Sequence, residues 1–281
     1  MIQSLFGLFL VLLASASWAG SNSSSLRVVT EYWPPVTFEE DGKPQGMAVE
    51  LTQVLQKQMN RSEPIEVLPW PRAYHLVLNQ PNVLLFTMID NAERKNLFNF
   101  LGPIAQGEIA LFARRTTVLD LSDKEKLKKM AVSVHRGTAF QDTLTRQKFK
   151  KIVPVNSPVS GVKMLMAGRV DLICEDVLAV TRMMQEAGYP EDAFVKVATL
   201  ERVDYYYAFS KNTEPAIIRQ WKESLEKTKR SGQFKAIYKK WFGNNPAPEN
   251  VILRLAEQDL EKPEEKLLWA ELLTPQFSDQ K

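Results

Sequence analysis

Between Asn82 and Phe100 the chain reads Val83-Leu84-Leu85-Phe86, then Thr87-Met88-Ile89-Asp90, then Asn91-Ala92-Glu93-Arg94, with a short apolar return through Leu97, Phe98 and Phe100. Consecutive large apolar residues leave no face of a strand for water, so the run predicts a strand covered on both sides, as in a parallel sheet layered with helices. Where such a strand ends, the chain turns at the carboxyl edge of the sheet, the place where open α/β sheets bind ligands. Arg94, a few residues past that edge, can present a planar fork to a carboxylate or phosphate. By position alone the plainer reading, a surface arginine opening a helix, comes first.

The stretch before this run alternates between periods. Leu26 to Thr30 reads as a first strand, and Glu31-Tyr32-Trp33-Pro34-Pro35-Val36-Thr37-Phe38 as a stiff turn whose prolines fix the backbone behind an aromatic pair. Glu40-Asp41-Gly42-Lys43 reads as a turn, and Met47, Val49, Leu51, Val54, Leu55 and Met59 repeat at helical spacing. Ile65 to Leu68 is a second strand, and Pro69-Trp70-Pro71-Arg72-Ala73-Tyr74-His75 opens a second helix with proline in its first turn. Strand, helix, strand, helix, strand is a βαβαβ unit with a parallel sheet.

A second unit of the same kind follows a strand at Glu108–Phe112 and a charged linker with a short helix, Thr116 to Met130. Ala131–Val134 is its first strand, His135-Arg136-Gly137-Thr138 a tight turn, Phe140–Phe149 and Val159–Met166 helices, Val170–Cys174 a strand, and Glu175-Asp176 the turn before a helix over Val177–Ala187. Val203–Phe209 is a strand leading out, its tyrosines read as packing. Helical spacing through Ile217, Ile218, Trp221, Leu225 and Thr228, and again through Phe234, Ile237, Tyr238, Trp241 and Phe242 up to Gly243, predicts a helical pair docked on the first unit. After the linker Asn244–Pro248, Asn250–Leu260 and Pro263–Leu273 read as short amphipathic helices that pack on a lobe.

The 281 residues suffice for two compact lobes, and a formal charge of +3 with no polybasic tract argues against nucleic acid or an anionic membrane surface. Residues 1–19 differ from the rest: Leu5–Leu13 is almost wholly apolar, small residues follow, and Ser17-Trp18-Ala19 matches a signal-peptidase site. The apolar core is too short to span a bilayer, although the segment before it has no Lys or Arg. Export to the periplasm with cleavage near Ala19 is the expectation. Cys174, the sole cysteine, excludes an internal disulfide and reads as a small buried hydrophobe.

Six pieces in order resemble the family 3 extracytoplasmic solute-binding proteins, the polar amino-acid receptors of ABC importers. They are Trp33-Pro34-Pro35-Val36 for an aromatic-x-Pro-Phe turn, Gly42-x-x-x-Gly46-Met47, Met88-x-x-Asn91-Ala92-Glu93-Arg94 for Met-x-x-Thr-x-Glu-Arg, Arg136-Gly137-Thr138, Ala167-Gly168-Arg169-Val170-Asp171 with Asp176 after it, and Gly232 to Gly243 with its Ile237-Tyr238-Lys239-Lys240-Trp241-Phe242 core. Three departures are that Asn91 replaces the family's Thr, Ala139 its second Thr after the Gly, and Gln80-Pro81-Asn82 its Gly-x-x-Asp.

The resemblance implies a two-lobed α/β clamp of the periplasmic-binding-protein type II, each lobe a doubly wound, mostly parallel sheet. Residues 26–110 and 208–246 would form lobe 1, 111–207 lobe 2, and 247–281 a C-terminal helical extension, with hinge strands near Glu108–Arg114 and Tyr205–Phe209. It implies that Arg94 pairs with a ligand carboxylate, helped by backbone N–H groups at Gly137 and Thr138. Asp176, from the other lobe, and groups near Thr87 would take the ligand's ammonium, while Trp33 and Trp70 form apolar walls. Without the resemblance, Asp176 reads as a helix N-cap before Val177. The implied partners are a small amino-acid-like or carboxylate solute and an inner-membrane ABC permease, with the protein itself a monomer. No metal or cofactor is expected.

An enzyme on the same scaffold, resembling cyclohexadienyl dehydratases, is the alternative and would need an acid or base in the cleft. His135, Glu175 and His75 are the candidates. No nucleophile triad, metal-ligand spacing or phosphate loop accompanies them, so a non-enzymatic binding module is the preferred reading.

Overall fold

The computed structural model describes residues 25–117 and 124–256. The expected export signal and the second expected C-terminal helix, Pro263–Leu273, lie outside the described residues.

In chain order the first lobe is built from β1 (Arg27–Glu31), a small hairpin of β2 (Phe38–Glu40) and β3 (Lys43–Gln45), α1 (Met47–Gln58), β4 (Ile65–Leu68), α2 (Trp70–Asn79) and β5 (Val83–Ile89). All seven residues of β5 are buried. It lies parallel to β1, which in turn lies parallel to β4. Gly46 enters α1 at φ 116°, and a Cβ there would collide with the Val36 carbonyl, so this tight turn requires glycine.

Two long strands follow and join the lobes. β6 (Phe98–Arg114) and β10 (Phe194–Ser210) each contain 17 residues and pair antiparallel along most of their length. The two strands expected at Glu108–Phe112 and Val203–Phe209 are therefore only the middle and end of longer elements. Between them in sequence come α3 (Lys124–Lys129), β7 (Ala131–His135), α4 (Ala139–Arg146), β8 (Lys151–Val155), α5 (Pro158–Met166), β9 (Leu172–Asp176) and α6 (Val180–Glu186). These make the second lobe, with β8, β7 and β9 parallel and β9 antiparallel to β6.

The chain then returns through α7 (Pro215–Arg230) and α8 (Gln233–Phe242), which dock on α1 of the first lobe. Trp221 is fully buried there between Tyr207 and Phe209, and the Trp241 indole N–H donates to Glu50. The helix expected from Asn250 is corrected over the described residues: β11 (Ile252–Arg254) is a strand, antiparallel to β6. Val251-Ile252-Leu253 is a β-favouring run beside an open sheet edge, and strand pairing satisfies that edge. The result is a mixed sheet in the order β4-β1-β5-β10-β6-β9-β7-β8, with β11 added to β6. Among the described residues no helix is long and apolar enough to cross a membrane.

Candidate functional site

The carboxyl ends of β1, β5, β7 and β9 converge on a cleft between the lobes, as a parallel sheet directs them to. Its walls are Glu31, Trp33, Trp70, Thr87, Ile89, Arg94 and Tyr205 from one side, and His135, Thr138, Ala139, Phe140, Pro158 and Glu175 from the other. They enclose only about 30 Å³, so the cleft is nearly shut in this conformation. A wider depression of about 600 Å³ lies between α7, α8 and residues 246–251, but its charges all come from one lobe and its lining has no opposed pair across a cleft.

Arg94 sits in the turn after β5, where its own N–H and that of Lys95 donate to the Asn91 carbonyl. It is 4% exposed, its guanidinium 5.2 Å from the Trp70 ring centroid and 5.3 Å from that of Tyr74. The two rings are themselves in contact, their centroids 5.5 Å apart, so the guanidinium lies over an aromatic pair on one side and keeps its fork available for polar contacts on the other. Across the cleft its Nη2 donates to the Gly137 carbonyl at 3.4 Å and lies 3.8 Å from Asp142 of α4. Burial pulls its pKa below the ordinary value, opposed by Tyr74, Asp142 and Glu31. Asn91, at the base of this turn, keeps a buried Oδ1 without a hydrogen-bond partner among the described residues.

Thr87 occupies a bulge. Tyr206 pairs with Met88 and Tyr207 with Phe86, so Thr87 has no partner on β10, and its φ is +71°. A β-branched residue with positive φ is strained, and bulges beside sites re-aim a residue that the regular pleat would direct elsewhere. Its hydroxyl donates to the Phe86 carbonyl at 2.6 Å.

The acidic groups are arranged differently from what the resemblance implied. Glu175 and Asp176 follow each other at the end of β9, so their side chains leave on opposite faces. Glu175 enters the cleft, its Oε1 accepting from the Trp33 indole N–H at 3.3 Å and from the Asp176 backbone N–H at 2.8 Å. Asp176 does not line the cleft. It is fully buried, accepting from the Tyr205 hydroxyl at 2.6 Å and from the Leu178 N–H at 2.7 Å; the expected helix over Val177–Ala187 starts only at Val180 with Ala179 at its cap position, so Asp176 closes the turn before the helix and does not cap it.

Glu31, which the sequence places at the start of a stiff turn, is the second cleft acid. The cue was its place directly after the apolar strand Val28-Val29-Thr30, at the same sheet edge as Arg94. Burial, with Glu175 nearby, pushes the Glu31 carboxyl up to about 8, against a lowering by Arg94. Burial likewise pushes Glu175 to about 8 and Asp176 to about 7, each against its hydrogen bonds. Burial lowers His135 to about 4. The 3.7 Å contact of His135 with Glu31 is therefore, near neutrality, one between an uncharged imidazole and a largely protonated carboxyl.

The other expected site residues divide. Trp33, Trp70 and Thr138 line the cleft. Gly137 borders it through its carbonyl, which accepts from the Trp70 indole at 2.8 Å, whereas its N–H already donates to Gln141 Oε1 at 2.9 Å. The Thr138 hydroxyl donates to the His135 carbonyl. His75 is exposed, bonded to Asn79 on α2, and does not line the cleft.

The sequence from 26 to 244 matches the bacterial extracellular solute-binding proteins, family 3. A probable histidine-binding protein of Neisseria gonorrhoeae is 22% identical over 75% of this chain and 80% of its own. The L-cystine-binding protein TcyA of Bacillus subtilis is 23% identical over 81% and 85%. Among solved structures, the arginine-, lysine-, histidine-binding protein ArtJ of Geobacillus stearothermophilus superposes with a TM-score of 0.70 at 20% identity, over 79% of this chain and 97% of that one. At that identity the likeness establishes the fold, a two-lobed clamp.

Proposed function

We propose that this chain, which belongs to the bacterial extracellular solute-binding proteins of family 3, captures one amino-acid-like molecule between its lobes and hands it to an inner-membrane ABC permease. What supports this reading is that Arg94 from one lobe and Glu175 from the other line one and the same cleft. A zwitterion offers an anion to the guanidinium and an ammonium to the carboxylate. Only the closed clamp satisfies both, so the ligand stabilises closure. Thr87 and Thr138 supply polar contacts, and Trp33, Trp70 and Phe140 the apolar walls. Asp176 acts behind the cleft, through Tyr205, in place of the direct ammonium contact.

Glu31 extends the proposal to the side chain of the ligand. One fixed guanidinium faces two cleft carboxyls that stay protonated while the cleft is empty, and a cationic group brought in by a solute would draw each into its charged, paired form, so a solute with one carboxylate and more than one cationic group matches the most buried groups. Basic amino acids have that pattern, and it agrees with what the names of the Neisseria and Geobacillus relatives describe for those proteins. The crossing of β6 and β10, near 105–107 and 203–205, serves as the hinge. Residues 1–19 carry the protein to the periplasm, and it works there as a monomer without a cofactor. A thermal-shift screen of amino acids, opines, small peptides and carboxylates tests the reading. A ligand of the folded state raises the melting midpoint, and a screen in which no zwitterion does so counts against it.

One observation favours a second reading. Glu175 is buried and keeps a proton near neutral pH, the condition a general acid requires. Incubation with prephenate or arogenate separates the two, since turnover would show a dehydratase on this scaffold and its absence leaves the receptor.

A further inference from the structure

Residues 246–256 continue past the family match, which ends at 244, and lie extended along the first lobe. Three devices fasten them. β11 pairs with the edge of β6, Ile252 opposite Gly102 and Arg254 opposite Phe100. The Lys229 ammonium donates to the carbonyls of Pro103, Pro248 and Asn250 at 2.7, 2.8 and 2.7 Å. The Ala256 N–H donates to Asn99 Oδ1 at 3.0 Å.

Arg254 does something further. Its guanidinium is ion-paired to Asp90, whose side chain is almost wholly buried, and lies 5.9 Å from the Tyr206 ring centroid. Asp90 is the residue between β5 and the turn that presents Arg94, and the next residue, Asn91, carries the carbonyl on which that turn closes. On its far side the same turn meets the second lobe, where Asp142 draws on Arg94 and on the Asn91 side chain. The strap is thus tied to the base of the turn whose tip enters the cleft.

We propose that Arg254 is a positioning residue for the ligand anchor: by holding Asp90 it fixes the turn over 91–97, so that the C-terminal strap sets ligand affinity from outside the cleft. The proposal rests on Arg94 being the anchor. Without Arg254 the buried Asp90 carboxylate has lost its cation, and the means of relief is to swing toward water and take the turn with it.

The test compares full-length wild type, Arg254→Ala, Arg254→Lys and, as a remote control that breaks the Arg61–Glu63 pair, Arg61→Ala. Hydrogen exchange is followed without ligand, and dissociation constants are measured for L-histidine and L-arginine. Arg254→Ala is expected to raise exchange of the Arg94 and Lys95 amides about tenfold, with β1 and α1 unchanged. It is also expected to weaken binding about fivefold, with Arg254→Lys between it and wild type and Arg61→Ala like wild type. Faster exchange confined to 252–254, with 91–97 unchanged, would overturn the proposal and leave Arg254 as a fastener of the strap alone. Should Arg254→Ala fail to fold, Arg254→Lys, which keeps the charge but loses the planar fork, is read by the same two criteria. Should wild type bind neither amino acid, the function proposed above fails, while the exchange of 91–97 still decides the role of Arg254.

Discussion

Glu175 and Asp176 are consecutive residues of β9 with opposite assignments: the first meets Trp33 inside the cleft, the second meets Tyr205 and Leu178 behind it. Substitution at each should therefore move a different quantity. Glu175→Gln removes the carboxyl that a ligand's ammonium would draw into its charged form and is expected to weaken binding by on the order of 2 kcal/mol, with the melting temperature of the empty protein unchanged or raised, since Glu175 is largely protonated there. Asp176→Asn is expected to lower stability by about 1 kcal/mol and leave affinity nearly intact, since only one of its two hydrogen bonds keeps an acceptor. Calorimetric titration and thermal unfolding of both variants check the pair.

At Thr87 the backbone conformation and the site oppose each other. A β-branched residue at φ +71° costs on the order of 1 kcal/mol or more, which glycine avoids. Thr87→Gly is expected to stabilise the empty protein by about 0.5 kcal/mol while weakening ligand binding, because the bulge loses its hydroxyl and its fixed shape. Denaturant unfolding measures the first effect and titration the second.

The buried acids make closure of the empty clamp depend on pH. Glu31 and Glu175 rest near 8 in the closed form against an ordinary value of 4.5, so closing takes up protons. Closure is then favoured at lower pH and lost as pH rises through about 8. His135, lowered from 6.5 to about 4, acts in the opposite direction, but only below its ordinary value. Small-angle scattering of the unliganded protein between about pH 6.5 and pH 9 should show the radius of gyration increasing with pH. A constant radius would mean that the acids do not gate closure.

Much of this arrangement is legible in the residues, and the parts that are not share a cause. The apolar run Val83–Phe86 announces β5, and the return through Arg94 announces a turn at the ligand-binding edge. The spacings of Ile217 to Thr228 and Phe234 to Phe242 announce the helices that close the first lobe. What a one-dimensional pattern does not carry is register. Which of Glu175 and Asp176 faces the cleft is set by a pleat whose phase the sequence leaves open, since shifting by one residue exchanges the two faces. The same limit hides the Thr87 bulge, which exists only as a mismatch between β5 and β10. β6 and β10 read as fragments because polar residues such as Gln106 and Glu108 interrupt their apolar pattern where they leave one lobe for the other. β11 is hidden in the sequence because its short apolar run fits a helix as well as a strand until the free edge of β6 is known.

The most direct test is isothermal titration of the purified mature protein and its Arg94→Ala variant with L-arginine, L-lysine, L-histidine and L-glutamate. Saturable binding of one molecule per chain, with at least one basic amino acid ahead of glutamate, is the predicted result for wild type. In the variant that affinity should weaken by about 2 kcal/mol or more, because a desolvated carboxylate is left unpaired. Equal affinity in the two proteins, or tighter binding of glutamate than of any basic amino acid, would contradict the account.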